Sequence, residues 1–589
     1  MNNKYLSKYT FSSLLLAAIL LGGASCKKYL ELTPVSSFGP EYVFSNVPNA
    51  DKAVLGAYSA LGGDQGYGIR ISMYYPYDND EMMGQGGAAG DNERRDIARF
   101  SVKSSNTQLA GPFNQLYAGI ERANICIYSI PKMTMYTSGT ESEKRQLKKL
   151  YGEALTLRAQ FYFELIRNWG DVPAQFLPSS YEADLFKAKT DRDTIYTKII
   201  ADLAEAADLL PWRSASGTTN ERISQGAARA LRARLALFRG GYSLRKNRKM
   251  ERPADYKTFY QIARDECNII MQRNEEHKLN PSFRAVFKDA IGAHKEDPFG
   301  EILWEVGMTG GGSGFGDSKL GYYNGPRYNN TGNSALTILP TYFYAFDSTD
   351  TRRDVTCAPY NILLNMSLEG RTLQTMVDGK FRRDWNPVTT SAAQYFGTNW
   401  PVIRYSDVLL MFAETENELS NGPTAAAKTA YEQVRLRAFE GNASRIGTTP
   451  SDYAGFLSAI MNERMLEFGS EGIRKFDLLR WNKLKERLDA VKVVLTAMAN
   501  RVAPFDNLPT AMYYKTGSTT MVWANSFYKP TPAGGVPAGY AEISWIGTGI
   551  TSTITQYLGS GFAEGKSELL PIPQASLDAN PKLTQDYGY

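Results

Sequence analysis

Pro401-Val-Ile-Arg-Tyr-Ser-Asp-Val-Leu-Leu-Met-Phe-Ala-Glu414 opens the stretch 401–481, where apolar periodicity is dense and charges sit among apolar neighbours. Tyr405, Val408, Leu409, Phe412 and Leu419 recur at steps of three, four and seven, which places them on one face of a 3.6-residue helix. Asn421-Gly422-Pro423 ends that helix, because Gly closes the last turn and Pro bars continuation, and Thr424 caps a second one over 425–437. A third helix, 453–468, lines up Leu457, Ile460, Met461, Met465 and Phe468, with Gly469 as its stop. Arg404, Glu414, Glu463, Arg464, Glu467, Arg474, Asp477 and Arg480 are set into these apolar runs. Isolated buried charge is expensive, so the pattern predicts an ion-pair network that locks the helices together.

Outward from this stretch, helical periodicity returns over 51–61, 111–130, 141–169, 190–210, 224–239 and 255–273, with Gly, Pro and Asp as punctuation. Glu301 to Val306 alternates like a strand. The fold class is therefore mostly α, with paired helices of tetratricopeptide length but without that repeat's consensus. Three segments lack helical periodicity: 63–106, 307–334 and 504–568, the last holding Trp523 and Trp545. The first reads as a long surface loop or a set of short strands. A Pro-rich tail, 569–589, is expected to pack back on the body.

The 401–414 run quoted above, with Glu463-Arg-Met-Leu-Glu-Phe468 and Gly472-Ile-Arg-Lys-Phe-Asp-Leu-Leu-Arg-Trp481, resembles the C-terminal signature of the SusD/RagB family. Arg158-Ala-Gln-Phe-Tyr-Phe-Glu-Leu-Ile-Arg-Asn-Trp-Gly-Asp-Val-Pro173, Ile199 to Pro211, and Leu569-Leu-Pro-Ile-Pro-Gln574 with Asn580-Pro581 extend the resemblance over nearly the whole chain. It implies a SusD-like helical scaffold with tetratricopeptide-like helix pairs, a loop-rich ligand face and a few short strands. It also implies a surface lipoprotein of Bacteroidetes that captures oligosaccharide for a TonB-dependent, SusC-like outer-membrane transporter. An N-terminal part, 26–230, and a C-terminal part, 231–589, would then form one compact body. A receptor for peptides or other nutrients on the same scaffold is the alternative.

The N-terminus fits that expectation. Lys4 and Lys8 precede an apolar run from Phe11 to Leu21 and then Gly22-Gly-Ala-Ser-Cys26, the layout of a secretory signal over 1–25 that is too short to span a bilayer. Small residues leading to Cys26 resemble a lipobox, which marks Cys26 for lipidation and attachment to the outer membrane. Losing Lys4 and Lys8 takes the net charge from +5 to +3, too weak a bias for a nucleic-acid partner. Lys27 and Lys28 stand where the family's export signals are often acidic.

Catalytic and metal chemistry find little material. His277 and His294 are the only histidines, lack metal-ligand spacing and read as surface residues. Cys126, Cys267 and Cys357 suggest neither zinc nor a disulfide framework, and Cys126 reads as a buried thiol. No nucleophile elbow, P-loop or dinucleotide fingerprint occurs, so no cofactor is expected. A glycoside hydrolase needs two carboxylates facing each other across a substrate. Glu414/Glu418 and Glu463/Glu467 would instead project in parallel from one helix, with Arg neighbours holding them ionised. Asp78, Asp80 and Glu81 lack an EF-hand's spacing and read as a solvated acidic loop with no metal.

Aromatic surface is what remains. Sugar rings present apolar C–H faces that stack on Tyr, while amides and charged groups satisfy the hydroxyls. Among 36 Tyr and 8 Trp, those inside helical or strand patterns, such as Trp169, Trp304 and Trp481, read as core. Tyr74, Tyr75, Tyr77, Tyr322, Tyr323 and Tyr328 lie in irregular segments beside Asn79, Asp80, Asn324 and Arg327, and these ten are the candidate ligand-binding residues. Trp385 and Trp523 stand next in line.

Overall fold

A computed structural model describes residues 39–387 and 394–589; the signal segment and Cys26 lie outside the described residues. The scaffold is a succession of helices, each packed on the next in chain order. Thr107–Ser129 packs on Glu141–Trp169, which packs on Arg192–Leu209, then Gln225–Arg239, Tyr256–Met271, Tyr405–Leu419 and Ala425–Ala438. Tyr453–Phe468 packs on both of the last two. Local chemistry sets the boundaries. Thr140 and Glu143 form a capping box at the start of Glu141–Trp169, and Gly170, at φ 79°, ends it. Thr424 accepts a hydrogen bond from the Ala427 N–H, as its position predicts. Gly469 differs from expectation: its φ is −50°, and Ser470 takes the left-handed conformation at φ 70° instead.

Residues 272–404 form a long insertion between Tyr256–Met271 and Tyr405–Leu419. Strand Ile302–Val306 pairs antiparallel with Trp400–Arg404, Trp400 opposite Val306 and Arg404 opposite Ile302, so this ladder ties the insertion to the scaffold directly before a scaffold helix. One hydrophobic core runs from Val47 to Ile572. The 230/231 division falls inside helix Gln225–Arg239, whose buried side chains belong to that same core. The tail packs back as expected: Leu570 N–H donates to the Asn168 carbonyl at 2.7 Å and the Trp169 indole to the Pro571 carbonyl at 3.1 Å.

The eight charged residues singled out within 401–481 are all buried and paired. Glu467 accepts from Arg352 (3.1 Å), Arg404 (2.8 Å) and Arg437 (2.5 Å); Arg404 also reaches Glu301 and Glu471 at 2.8 Å. Asp407 receives Arg234 and Arg464, Asp477 receives Arg464 and Arg480, Glu414 receives Arg480, Glu463 receives Arg352, and Arg474 bonds Asp80. The network thus reaches beyond the three helices that predict it, into the insertion and the N-terminal segment.

Several expectations need correction. The segment 63–106 is not a surface loop: a π-turn, Arg70–Tyr74, a short strand, Met82–Met83, and a helix, Glu93–Ala98, carry mostly buried residues from Gly66 to Gly84. The acidic loop is buried as well. Asp78 is chelated by Arg99 at 2.5 and 2.6 Å, and Asp80 is held by both oxygens to Arg474, with Arg487 adding a further bond at 2.8 Å. His277 is wholly buried, with Nδ1 2.8 Å from the Gly300 carbonyl, and burial lowers its pKa; His294 is half-buried.

Asp80 makes part of the stability pH-dependent. Burial alone would raise its pKa, but Arg474 and Arg487 outweigh that and hold it at about 2. A depressed carboxyl stabilises the fold above its unfolded pKa near 4, and that contribution is lost as pH falls through about 2. At neutral pH it is on the order of 2 kcal/mol. The stability gap between wild type and Asp80→Asn, measured by denaturant unfolding, should be present at about pH 7 and close as the pH approaches 2. A gap that stays constant across that range would sink the assignment.

Candidate functional site

The irregular segments 63–106 and 307–334 meet. The Asp64 N–H donates to the Gly314 carbonyl at 2.9 Å and the Lys319 N–H to the Gly68 carbonyl at 3.0 Å. Glycine permits this approach: a Cβ on Gly68 would stand 2.3 Å from the Asp317 carbonyl oxygen, and one on Gly63, at φ 74°, 2.5 Å from that of Gly314. Between the segments lies a depression of about 290 Å³ lined by Asp64, Arg70, Tyr74, Arg94, Lys319 and Tyr323 among others.

Arg94 sits in the first turn of helix Glu93–Ala98, whose start Asn92 fixes by accepting from the Arg94 N–H. Its guanidinium donates to the Tyr323 hydroxyl at 2.9 Å and the Tyr74 hydroxyl at 3.3 Å, although Arg94 and Tyr323 are 229 positions apart. The two rings meet edge-on at 6.0 Å, and Tyr322 continues the row edge-on to Tyr323 at 5.4 Å. Burial works against the Arg94 charge, but the two hydroxyls outweigh it and its pKa rises; burial likewise raises the Tyr74 pKa, so that phenol keeps its proton. Lys319 reaches Asp64 at 3.3 Å, and the Tyr395 hydroxyl donates to the same carboxylate at 3.0 Å. Phe315, next to the Gly314 that accepts from the Asp64 N–H, is 92% exposed. Rings, hydroxyls and cations on one half-open surface can stack on an apolar face while bonding the polar groups at its edge.

The sequence-level candidates divide. Tyr322 and Tyr323, half-buried, share this surface; Tyr74 lines it too, but contrary to expectation it is buried, 9% exposed, in the hydrophobic core, while Tyr328, half-buried, and Arg327, exposed, lie farther along the 307–334 segment. The other five are core. Tyr75 is 0% exposed, packs edge-on against Trp169 at 5.7 Å and donates to the Gln108 carbonyl. Tyr77 is buried. Asn79 accepts from the Glu81 and Met82 N–H groups, Asp80 is spent on its arginines, and Asn324 bridges Gly321 and Asp378. Each has its polar atoms engaged by the fold, which leaves none for a ligand. Asp64, Arg70, Arg94 and Lys319 escaped the sequence reading, because a charge in an irregular segment carries no local sign of what it faces. Phe315 had a weak signal, a bulky ring between two glycines.

A larger cleft, about 1040 Å³, lies between the insertion and the scaffold and includes Arg353, Arg382, Arg437, Trp385 and Trp523. Three of its arginines are paired within the protein, Arg353 with Asp354, Arg382 with Asp384 and Arg437 with Glu301 and Glu467, while the fourth, Arg284, is exposed beside Trp385. Trp385 is buried beside Arg382, and Trp523 packs on Phe527 and Trp545.

Successive packed helices with a face built on their insertions define a scaffold class of helix-pair binding proteins. Family models place the chain within it: one described as the SusD family matches residues 357–589, and one described as starch-binding associating with outer membrane matches residues 66–237. The chain belongs to the SusD/RagB family. It is 27% identical over 502 residues to SusD-like protein P25 of Formosa agariphila, covering 80% of this chain and 88% of that one. Among solved structures it resembles a SusD homolog from Bacteroides thetaiotaomicron, with a TM-score of 0.75 at 22% identity over 93% of this chain and 98% of that one. It also resembles surface glycan-binding protein A from Bacteroides thetaiotaomicron in complex with laminarihexaose, at TM-score 0.61 and 18% identity over 92% and 99% of the two chains. Among the described residues no helix is long and apolar enough to cross a membrane.

Proposed function

We propose that this protein is a non-catalytic glycan receptor, anchored in the outer membrane through an acylated Cys26, exposed at the cell surface, and passing oligosaccharide to a TonB-dependent, SusC-like transporter. One observation carries the reading: Tyr74 and Tyr323, from segments far apart in the chain, are brought side by side and held by one guanidinium at a half-open depression. A half-buried ring, Tyr323, backed by the buried Tyr74 and set beside hydrogen-bonding groups suits a sugar, which has an apolar face and polar hydroxyls at its edge. The laminarihexaose complex of a structural relative supports the ligand class, and the outer-membrane description of the N-terminal family match supports the location.

Glu93 at the depression supports binding rather than hydrolysis. Hydrogen bonds from Thr107 hold the Glu93 pKa below its ordinary value, whereas a general acid needs a carboxyl that keeps its proton. A glycan panel incubated with the purified protein should show retention of an oligosaccharide and no new reducing ends. New reducing ends would make it a hydrolase; a blank panel with peptides retained would make it a peptide receptor. Replacing Cys26 with Ala should move the protein from the membrane to the soluble fraction, and unchanged membrane association would rule out acylation as the anchor.

A further inference from the structure

The arginines divide sharply by location. Every described arginine in the buried core has a carboxylate partner within 4.0 Å, from Arg99 with Asp78 to Arg480 with Glu414. Among the half-buried described arginines only Arg70, Arg94, Arg371 and Arg383 lack one; the other described arginines without a carboxylate partner are exposed, Arg327 among them. Arg70, Arg94 and Arg383, with Arg327, follow one aromatic row, and Arg371 stands by its end, bonded to Asn361 next to Ile362, whose N–H donates to the Arg327 carbonyl at 2.8 Å. Arg70 and Arg94 flank Tyr74 at 5.9 and 5.7 Å, and Tyr74, Tyr323 and Tyr322 follow edge to edge. Tyr322 meets Phe396 at 6.4 Å, Arg383 lies 4.7 Å from Phe396 and 4.9 Å from Tyr328, and Arg327 precedes Tyr328. Arg371 donates to Asn361 alone, and burial together with the Arg327 charge lowers its pKa to about 10. Four half-buried guanidiniums without a carboxylate, one of them facing the exposed Arg327, form an arrangement the fold itself does not need. A guanidinium fork matches planar or tetrahedral oxyanions.

We infer that the ligand is an anionic oligosaccharide, bearing carboxylate or sulfate groups, laid along the row from Arg94 to Arg371. This rests on the glycan-receptor reading. The rings would stack on successive sugars while the guanidiniums bond the anions at their edges.

The test titrates the full-length protein, in detergent, with oligogalacturonides, sulfated carrageenan oligosaccharides and laminarihexaose as the neutral comparison. At least one anionic series should bind about tenfold or more tighter than the neutral one, with affinity falling as salt rises. Which series binds decides between carboxylate and sulfate. Arg94→Gln and Arg371→Gln should each remove most of that preference without lowering the Tm, and Arg94→Lys should restore part of it. Equal binding of neutral and anionic sugars, with the Arg variants silent, overturns the anionic ligand but leaves the glycan receptor standing. No glycan bound, or acidic peptides bound instead, overturns both.

Discussion

Replacing Glu467 with Gln is expected to cost about 3–5 kcal/mol of stability, or to prevent folding outright. Glu467 is wholly buried and accepts from three guanidiniums, those of Arg352, Arg404 and Arg437. Burial would raise its pKa, but the surrounding cations outweigh that and hold it well below the ordinary range, so the residue is an anion at every working pH. The amide keeps the shape and removes the charge, leaving three desolvated cations short of a counter-ion. The damage would spread, because these arginines also hold Glu301 at the base of the insertion, Glu463 on the third helix and Glu471 beyond it. Denaturant unfolding of purified Glu467→Gln measures this. A variant within about 1 kcal/mol of the parent would mean that the network is peripheral to stability. Swapping several members of the network together for apolar residues of matched volume should cost less than the single substitution, since an unpaired buried charge is worse than none.

Tyr75→Ala and Tyr323→Ala should fail in opposite ways. Tyr75 is enclosed, with its ring against Trp169 and its hydroxyl on the Gln108 carbonyl, so truncation leaves a cavity and an unpaired carbonyl. A loss of about 3–5 kcal/mol follows, seen as a fall in Tm. Tyr323 is half-buried at the depression, and its ring contacts are with other site residues, Tyr74, Tyr322 and Arg94. Its loss should leave the Tm nearly unchanged and weaken the retained glycan severalfold, because stacking on one ring contributes about 0.5–1.5 kcal/mol beyond burial. Thermal melts and affinity measurements on both variants check the pair. Normal binding by a folded Tyr323→Ala would move the ligand away from the depression.

Those two tyrosines look alike in the chain: each lies in an irregular, Gly-rich segment next to another Tyr. What separates them is what other parts of the molecule lay over them. Trp169 arrives at the end of a long helix and covers Tyr75. Arg94, on a six-residue helix that shows no clear apolar period, reaches Tyr323 and leaves one side of it open.

The helices are the opposite case. Glu141–Trp169 and Tyr453–Phe468 could be bounded to the residue from sequence, because helical periodicity and capping residues, Thr140 and Asp452, are local properties, although the left-handed turn after the second falls on Ser470 rather than Gly469. The need for an ion-pair network was equally legible, since charges inside apolar runs must be neutralised wherever the chain goes. Its partners were not: Asp80 and Glu301 lie far from the arginines they hold. By itself, then, the sequence determined most of the long helices, though not Leu484–Ala499, that their buried charges are paired, and the family. Tertiary structure decided which aromatic rings are core, which arginines stay unpaired, and that 63–106 and 307–334 share one surface. Exposure and pairing belong to a residue's surroundings in space, and no local pattern encodes those.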